Sequence, residues 1–299
     1  MRFCCKFEFL NGFIMAHSHY TKLDWYKPGL GESWIIALTM LLSGLVFGLF
    51  IGLMKTISPS AANVWDAQSL SYILTFLIPA VFIAVRANSA KTSAIMNGTD
   101  PIAVNHPSFG KAGGFGAFAL AALGMLALSV VIEPITAILP MPDSIKALFE
   151  SVFVNTELWD AILSTCILAP ILEELLCRGI MLRGMLTRIS PWKAIFWSAL
   201  IFAVIHLNPW QSIPAFIIGF FFGWLYYRTG CLWLTIFLHC LNNSLSTALT
   251  RLFPDIEIDQ GLIDILPHGT YLIVYAACAV VLAMVIILLH RLLPKKANE

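Results

Sequence analysis

Two adjacent carboxylates and a guanidinium, Glu173, Glu174 and Arg178, stand inside an apolar stretch, in the run Ala169 to Gly179. Later apolar stretches hold His206, four residues after Phe202, and His239, four residues before Asn243. An ionisable group at bilayer depth costs roughly 2.5–3.5 kcal/mol on insertion scales, so such groups are rare and generally functional. Adjacent helix positions point about 100° apart, whereas i and i+4 share a face. Glu174 and Arg178 are therefore expected to stack as an ion pair, a structural clasp, while Glu173 points away and is left for chemistry. The same spacing sets Phe202 along the face of His206 and the amide of Asn243 beside His239. Each pair alone also reads as ordinary packing, but four apolar helices in series carrying such groups do not. Polar groups inside a bundle face its interior and one another. Glu173, His206, His239 and Asn243 are thus expected around one cavity, supplying a base, two imidazoles and hydrogen-bond donors. That inventory suits hydrolysis of an amide bond by an activated water.

The elements that would position these groups are membrane helices. Of 299 residues, 59% are hydrophobic and 12% charged, with mean hydropathy +0.83. A soluble domain carries about 25% charged residues, so the chain reads as an all-α, polytopic membrane bundle. A net charge of +1 leaves no basic surface for nucleic acid. Windows of about 20 apolar residues predict eight spans: 33–54, 68–85, 113–139, 158–182, 194–209, 212–227, 231–250 and 270–290. A tilt or a break of the third span is expected near Glu133-Pro134, and a kink at Pro170, which removes a backbone donor. Arg and Lys concentrate in alternate loops, fourteen against three, with Arg178 inside a span. The positive-inside rule then places both termini in the cytoplasm.

This divides the chain into a cytoplasmic segment 1–32, accessory helices 33–139, a functional core 155–250, and a last helix with a basic tail, 270–299. The region 86–112 is the expected boundary between accessory and functional parts. The seven cysteines have no framework spacing and no C-x-x-C pair, so neither a disulfide scaffold nor a thiolate zinc site is expected. Gly44, Gly48 and Gly52, like Gly219 and Gly223, read as small residues for close helix packing, with dimerisation the alternative for the first set. Tryptophans near the span ends read as interfacial anchors. The carboxylates of 251–269 read as a solvated loop, and His17, His19 and His106 as surface residues. No cleavable signal is apparent, and Met15, followed by a polar lead-in, is a candidate start.

The motifs Glu173-Glu174-Leu-Leu-Cys-Arg178, Phe202 to His206 and His239 to Asn243 resemble, in order, those of the CPBP intramembrane proteases. This family includes type II CAAX prenyl endopeptidases and Abi-like bacteriocin-processing or self-immunity proteins. Pro170, Gly179 and Gly219-x-x-x-Gly223-x-x-Tyr226 before Thr229-Gly230 fit as well. The resemblance covers roughly 155–250. It implies that Glu173 with His206 activates the attacking water and that His239 and Asn243 stabilise the oxyanion. Arg178 with Glu174 would hold the site together, with Phe202 in support. It also implies a membrane-associated peptide or protein substrate. Two family mechanisms stand open, a metalloprotease with a divalent metal such as zinc on Glu173, His206 and His239, and a metal-free glutamic endopeptidase. The sequence has no H-E-x-x-H, which favours the route without a cofactor. The expected location is a bacterial plasma membrane. The rival readings are a non-proteolytic membrane partner, such as a self-immunity or scaffold protein, and a proton-relaying transporter, which the lack of an inverted repeat disfavours.

Overall fold

The computed structural model describes residues 19–58 and 67–296; the candidate start at Met15, with His17, Cys4, Cys5 and Trp65, lies outside them. The regular structure of the described residues is all helix, with no strands. In chain order they form α1 (Lys22–Trp25), α2 (Leu30–Ile57), α3 (Gln68–Thr75), α4 (Leu77–Asn97), α5 (Gly113–Thr136), α6 (Asp143–Phe153), α7 (158–185), α8 (Pro191–Val204), α9 (Pro209–Thr229), α10 (Leu232–Leu252), α11 (Leu262–Ile265) and α12 (His268–Leu292). Every apolar window of the sequence overlaps a helix, although the ends differ. Four helical stretches, Leu30–Ile57, Gln68–Asn97, Gly110–Thr136 and His268–Leu292, are long and apolar enough to cross a bilayer, and Pro191–Val204 is a shorter apolar helix.

The second stretch shows how local chemistry sets the breaks. Pro79 has no N–H for the carbonyl of Thr75, and the helix is interrupted at Phe76 before resuming. It then runs beyond the expected end at 85, because nothing stops it until Gly98, whose φ of 64° caps it in the left-handed region. Arg86, expected in a loop, is helical and pairs with Glu32 at 2.6 Å. By contrast α5 continues through Pro134 to Thr136, and no break occurs there. Half-buried Glu133 instead accepts the backbone N–H of Leu262 at 2.9 Å.

α7 carries the charged motif and is irregular. Two π-helical segments, Ile162–Leu168 and Leu175–Leu182, flank the α-helical Ala169–Glu174 that begins with Pro170 near its N-terminus. Pro170 thus coincides with a change of helix type. Single π turns inside α-helices recur at functional sites, and here they bracket the glutamates. α8 and α9 pack along each other as a hairpin. The core gathers Leu176, Cys177, Ile180 and Met181 of α7 with Ile195 of α8, Phe222 of α9 and Leu234 of α10. Large apolar side chains remain exposed on α2 and α12, among them Leu45, Leu49 and Ile273. In water such faces would be a liability; against lipid tails they are satisfied.

The loop after α4 belongs physically to the functional half. Buried Arg183 of α7 donates to the carbonyls of Leu23, Asp24, Tyr26 and Ile102 at 2.6–3.1 Å, and to Gly179 in its own helix. Tyr226 donates to Val104 O, and Asn105 accepts from Leu232 N. The carboxylates at 257 and 259 meet Lys146 of α6 at 3.0 and 2.8 Å at the exposed surface. α6 is amphipathic and stands outside every apolar window, with Ile145, Leu148, Phe149 and Val152 repeating at helical spacing.

Candidate active site

Glu174 and Arg178 stack as their spacing requires: Arg178 Nη1 donates to Glu174 Oε1 at 2.8 Å, and neither side chain is exposed. The guanidinium is held on three further sides. Its Nη2 donates to the carbonyl of Gly219 at 2.9 Å, and its centre lies 4.6 Å from the ring of Phe202 and 5.8 Å from that of Phe222. A Cβ on Gly219 would stand 3.1 Å from Arg178 Nη2 and 3.0 Å from Phe202 Cδ1. The glycine therefore makes room for this cation. Gly223 likewise seats Ile195, whereas Gly48 and Gly52 meet nothing within 4 Å among the described residues.

The clasp has a second partner that sequence spacing did not reveal. The same Glu174 Oε1 accepts His239 Nδ1 at 3.0 Å. A carboxylate only accepts, so Nδ1 of His239 carries a proton and its Nε2 is left for the cavity; the assignment follows from the partner. Nε2 lies 3.8 Å from Glu173 Oε2, beyond hydrogen-bond reach. Glu174 thus orients an imidazole as well as neutralising Arg178.

His206 is in the turn beyond α8 rather than inside a span. α8 ends at Val204, Leu207 adopts φ 58°, and Asn208 caps α9 by accepting Gln211 N at 2.9 Å. Left-handed backbone is uncommon for a bulky residue and clusters at functional sites. His206 Nδ1 bonds the Phe202 carbonyl at 2.8 Å. A carbonyl only accepts, so Nδ1 again carries a proton, and in the neutral ring Nε2 is the nitrogen with the lone pair. The Phe202 ring meets His206 and His239 edge-on, at 5.1 and 5.7 Å between centroids. Asn243 directs its amide nitrogen to Thr165 O at 2.9 Å, which spends one of its two donors.

Glu173, Phe202, His206, His239 and Asn243 all line one cavity of about 600 Å³. Met40, Phe149, Phe153 and Ile218 supply apolar wall, while Asn242, Ser246 and Thr250 extend a polar strip along α10. Two contacts from α3 were not foreseen. The Tyr72 hydroxyl donates to Glu173 Oε1, and Asp160 of α7 accepts the backbone N–H groups of Gln68 and Ser69. No sequence spacing links Tyr72 to Glu173, because the two are 101 residues apart.

A catalytic zinc takes three protein ligands in a compact set. Among the described residues no three His, Cys, Asp or Glu side chains are grouped to hold a metal ion. Glu173, His206 and His239 share a cavity without forming such a set.

Fold and site together define an integral membrane protein, all-helical, with a buried Glu/Arg/His cluster facing one cavity. Residues 155–245 match the family described as "Type II CAAX prenyl endopeptidase Rce1-like". Through this segment the chain is similar to the CPBP family. The chain is also similar to "Putative membrane peptidase YdiL" of Bacillus subtilis (strain 168), 31% identical over 83 residues. That alignment covers 28% of this chain and 34% of the relative, so the chain spans about a third of the length of the curated relative it matches. No solved structure matches the chain.

Proposed function

We propose that this protein is an intramembrane endopeptidase that hydrolyses a peptide bond of a membrane-associated protein or peptide, in the manner of the CAAX-type peptidases. The observation that carries this reading is the meeting of Glu173, His206, His239 and Asn243 on one cavity, inside the segment that matches the family. Water attacks the scissile carbonyl carbon as its proton passes to Glu173, with the free Nε2 of His206 orienting the water. The carbonyl electron pair moves to oxygen. In its imidazolium form, with Glu174 as the counter-charge on Nδ1, His239 would donate from Nε2 to that oxyanion together with the remaining amide hydrogen of Asn243. Collapse breaks the C–N bond, and Glu173 returns the proton to the leaving nitrogen. Both termini would lie on the cytoplasmic face of a bacterial plasma membrane.

The test uses the full chain in liposomes with a set of internally quenched fluorogenic peptides, with and without an S-farnesylated cysteine. Wild type should cleave at least one. Glu173→Ala and His206→Ala should abolish cleavage while melting as folded protein. Full activity in either variant refutes the mechanism. Loss of activity on thorough chelation, restored by one equivalent of metal, refutes its metal-free form.

A further inference from the structure

We propose that Tyr72 is a positioning residue for Glu173, an inference that rests on the peptidase reading above. A general base acts well only when its carboxylate is held in one rotamer with one oxygen free for the attacking water. Tyr72 meets that need. Its hydroxyl donates to Oε1 of Glu173, leaving Oε2 as the oxygen that faces His239 Nε2 at 3.8 Å.

Tyr72 is itself fixed in place by the helix that carries Glu173. Asp160, buried on α7, accepts Gln68 N at 2.6 Å and Ser69 N at 2.9 Å, which satisfies two orphan donors at the N-terminus of α3. Ser43 of α2 donates to the Leu74 carbonyl at 2.9 Å at the other end of α3. The Tyr72 ring packs on Phe76 at 5.4 Å between centroids. α3 is thus fastened to α7 at two levels, by Asp160 at its first turn and by Tyr72 one turn later. Sliding or rotating α3 would break both. The accessory part of the chain, outside the segment that matches the family, in this way completes the catalytic half.

The experiment compares Tyr72→Phe with wild type and Glu173→Ala in the full chain, using whichever quenched peptide of the set wild type cleaves. Phenylalanine keeps the ring and removes only the hydroxyl. A looser base costs turnover, so kcat should fall about 10- to 100-fold while KM stays within roughly twofold, with an unchanged melting temperature. A purely structural residue would lower stability instead, with kcat retained in the folded fraction. Asp160→Asn should reduce kcat too, and adding it to Tyr72→Phe should cost little more, since both act through the same helix. Wild-type kcat in Tyr72→Phe, with Glu173→Ala inactive, overturns the inference and leaves the peptidase reading intact. If wild type cleaves none of the peptides, the peptidase reading fails, and the hydrogen bond is judged by infrared spectroscopy. The carboxylate stretch of Glu173, isolated by subtracting Glu173→Ala, should shift in Tyr72→Phe; an unmoved band overturns the contact.

Discussion

Glu174→Gln isolates what the Glu174 charge does. One oxygen of this carboxylate accepts from Arg178 at 2.8 Å and from His239 at 3.0 Å, in a site where Glu174 and Arg178 have no exposure. Glutamine preserves the shape and can still accept both bonds, but only at about half their charge-assisted strength. Each bond to a charged group is worth about 1.5–3 kcal/mol, so weakening two costs roughly 1.5–3 kcal/mol. The larger loss is Arg178, left as a buried cation without its counter-charge; breaking such a pair costs about 3–5 kcal/mol in all. At about 2–4 °C per kcal/mol for domains of 150–250 residues, melting in detergent, followed by intrinsic fluorescence, should fall by roughly 10 °C. Cleavage by the protein still folded should fall too, since Nδ1 of His239 loses the carboxylate that orients the ring. Glu174→Leu with Arg178→Met should regain most of the stability, because a buried ion pair replaced whole is often neutral. The recovery stops short where the Gly219 carbonyl loses its donor. The double variant should stay inactive. Melting of Glu174→Gln within about 2 °C of wild type, with cleavage unchanged, would refute this account of the cluster.

Two further expectations concern how the site is held. Gly219→Val adds a Cβ about 3 Å from both Phe202 and Arg178, so it should destabilise by about 1–3 kcal/mol through overpacking, read as a lower melting temperature. Arg183→Met leaves the carbonyls of Leu23, Asp24, Tyr26 and Ile102 without this donor, at a cost of at least about 3 kcal/mol. Limited trypsinolysis should then cut faster at Lys22 and Lys27, and Arg183→Lys, with three donors in place of a planar five, should fall between.

Several features were legible in the sequence because they depend on short separations. Hydropathy marks each apolar helix, since burying or lipid-solvating a run of side chains is a local property of composition. The i,i+4 rule placed Arg178 on Glu174, because a helix fixes that neighbour whatever surrounds it. The same rule set Phe202 beside His206. Boundaries were less legible. Nothing in composition announces that α4 runs on to Asn97, and the turn that ends α8 just before His206 depends on Leu207 accepting a positive φ and Asn208 capping the next helix.

Contacts between distant elements required the tertiary structure. His239 shares Glu174 with Arg178 across 65 residues, Tyr72 reaches Glu173 across 101, and Arg183 gathers carbonyls as far away as Leu23. No periodicity encodes such pairs, because chain separation does not determine distance once helices pack. The sequence alone established a membrane-embedded cluster of Glu, Arg and His and the candidate base within it. Only the packing of α3, α7 and α10 decided which atoms hold that base and which imidazole it faces.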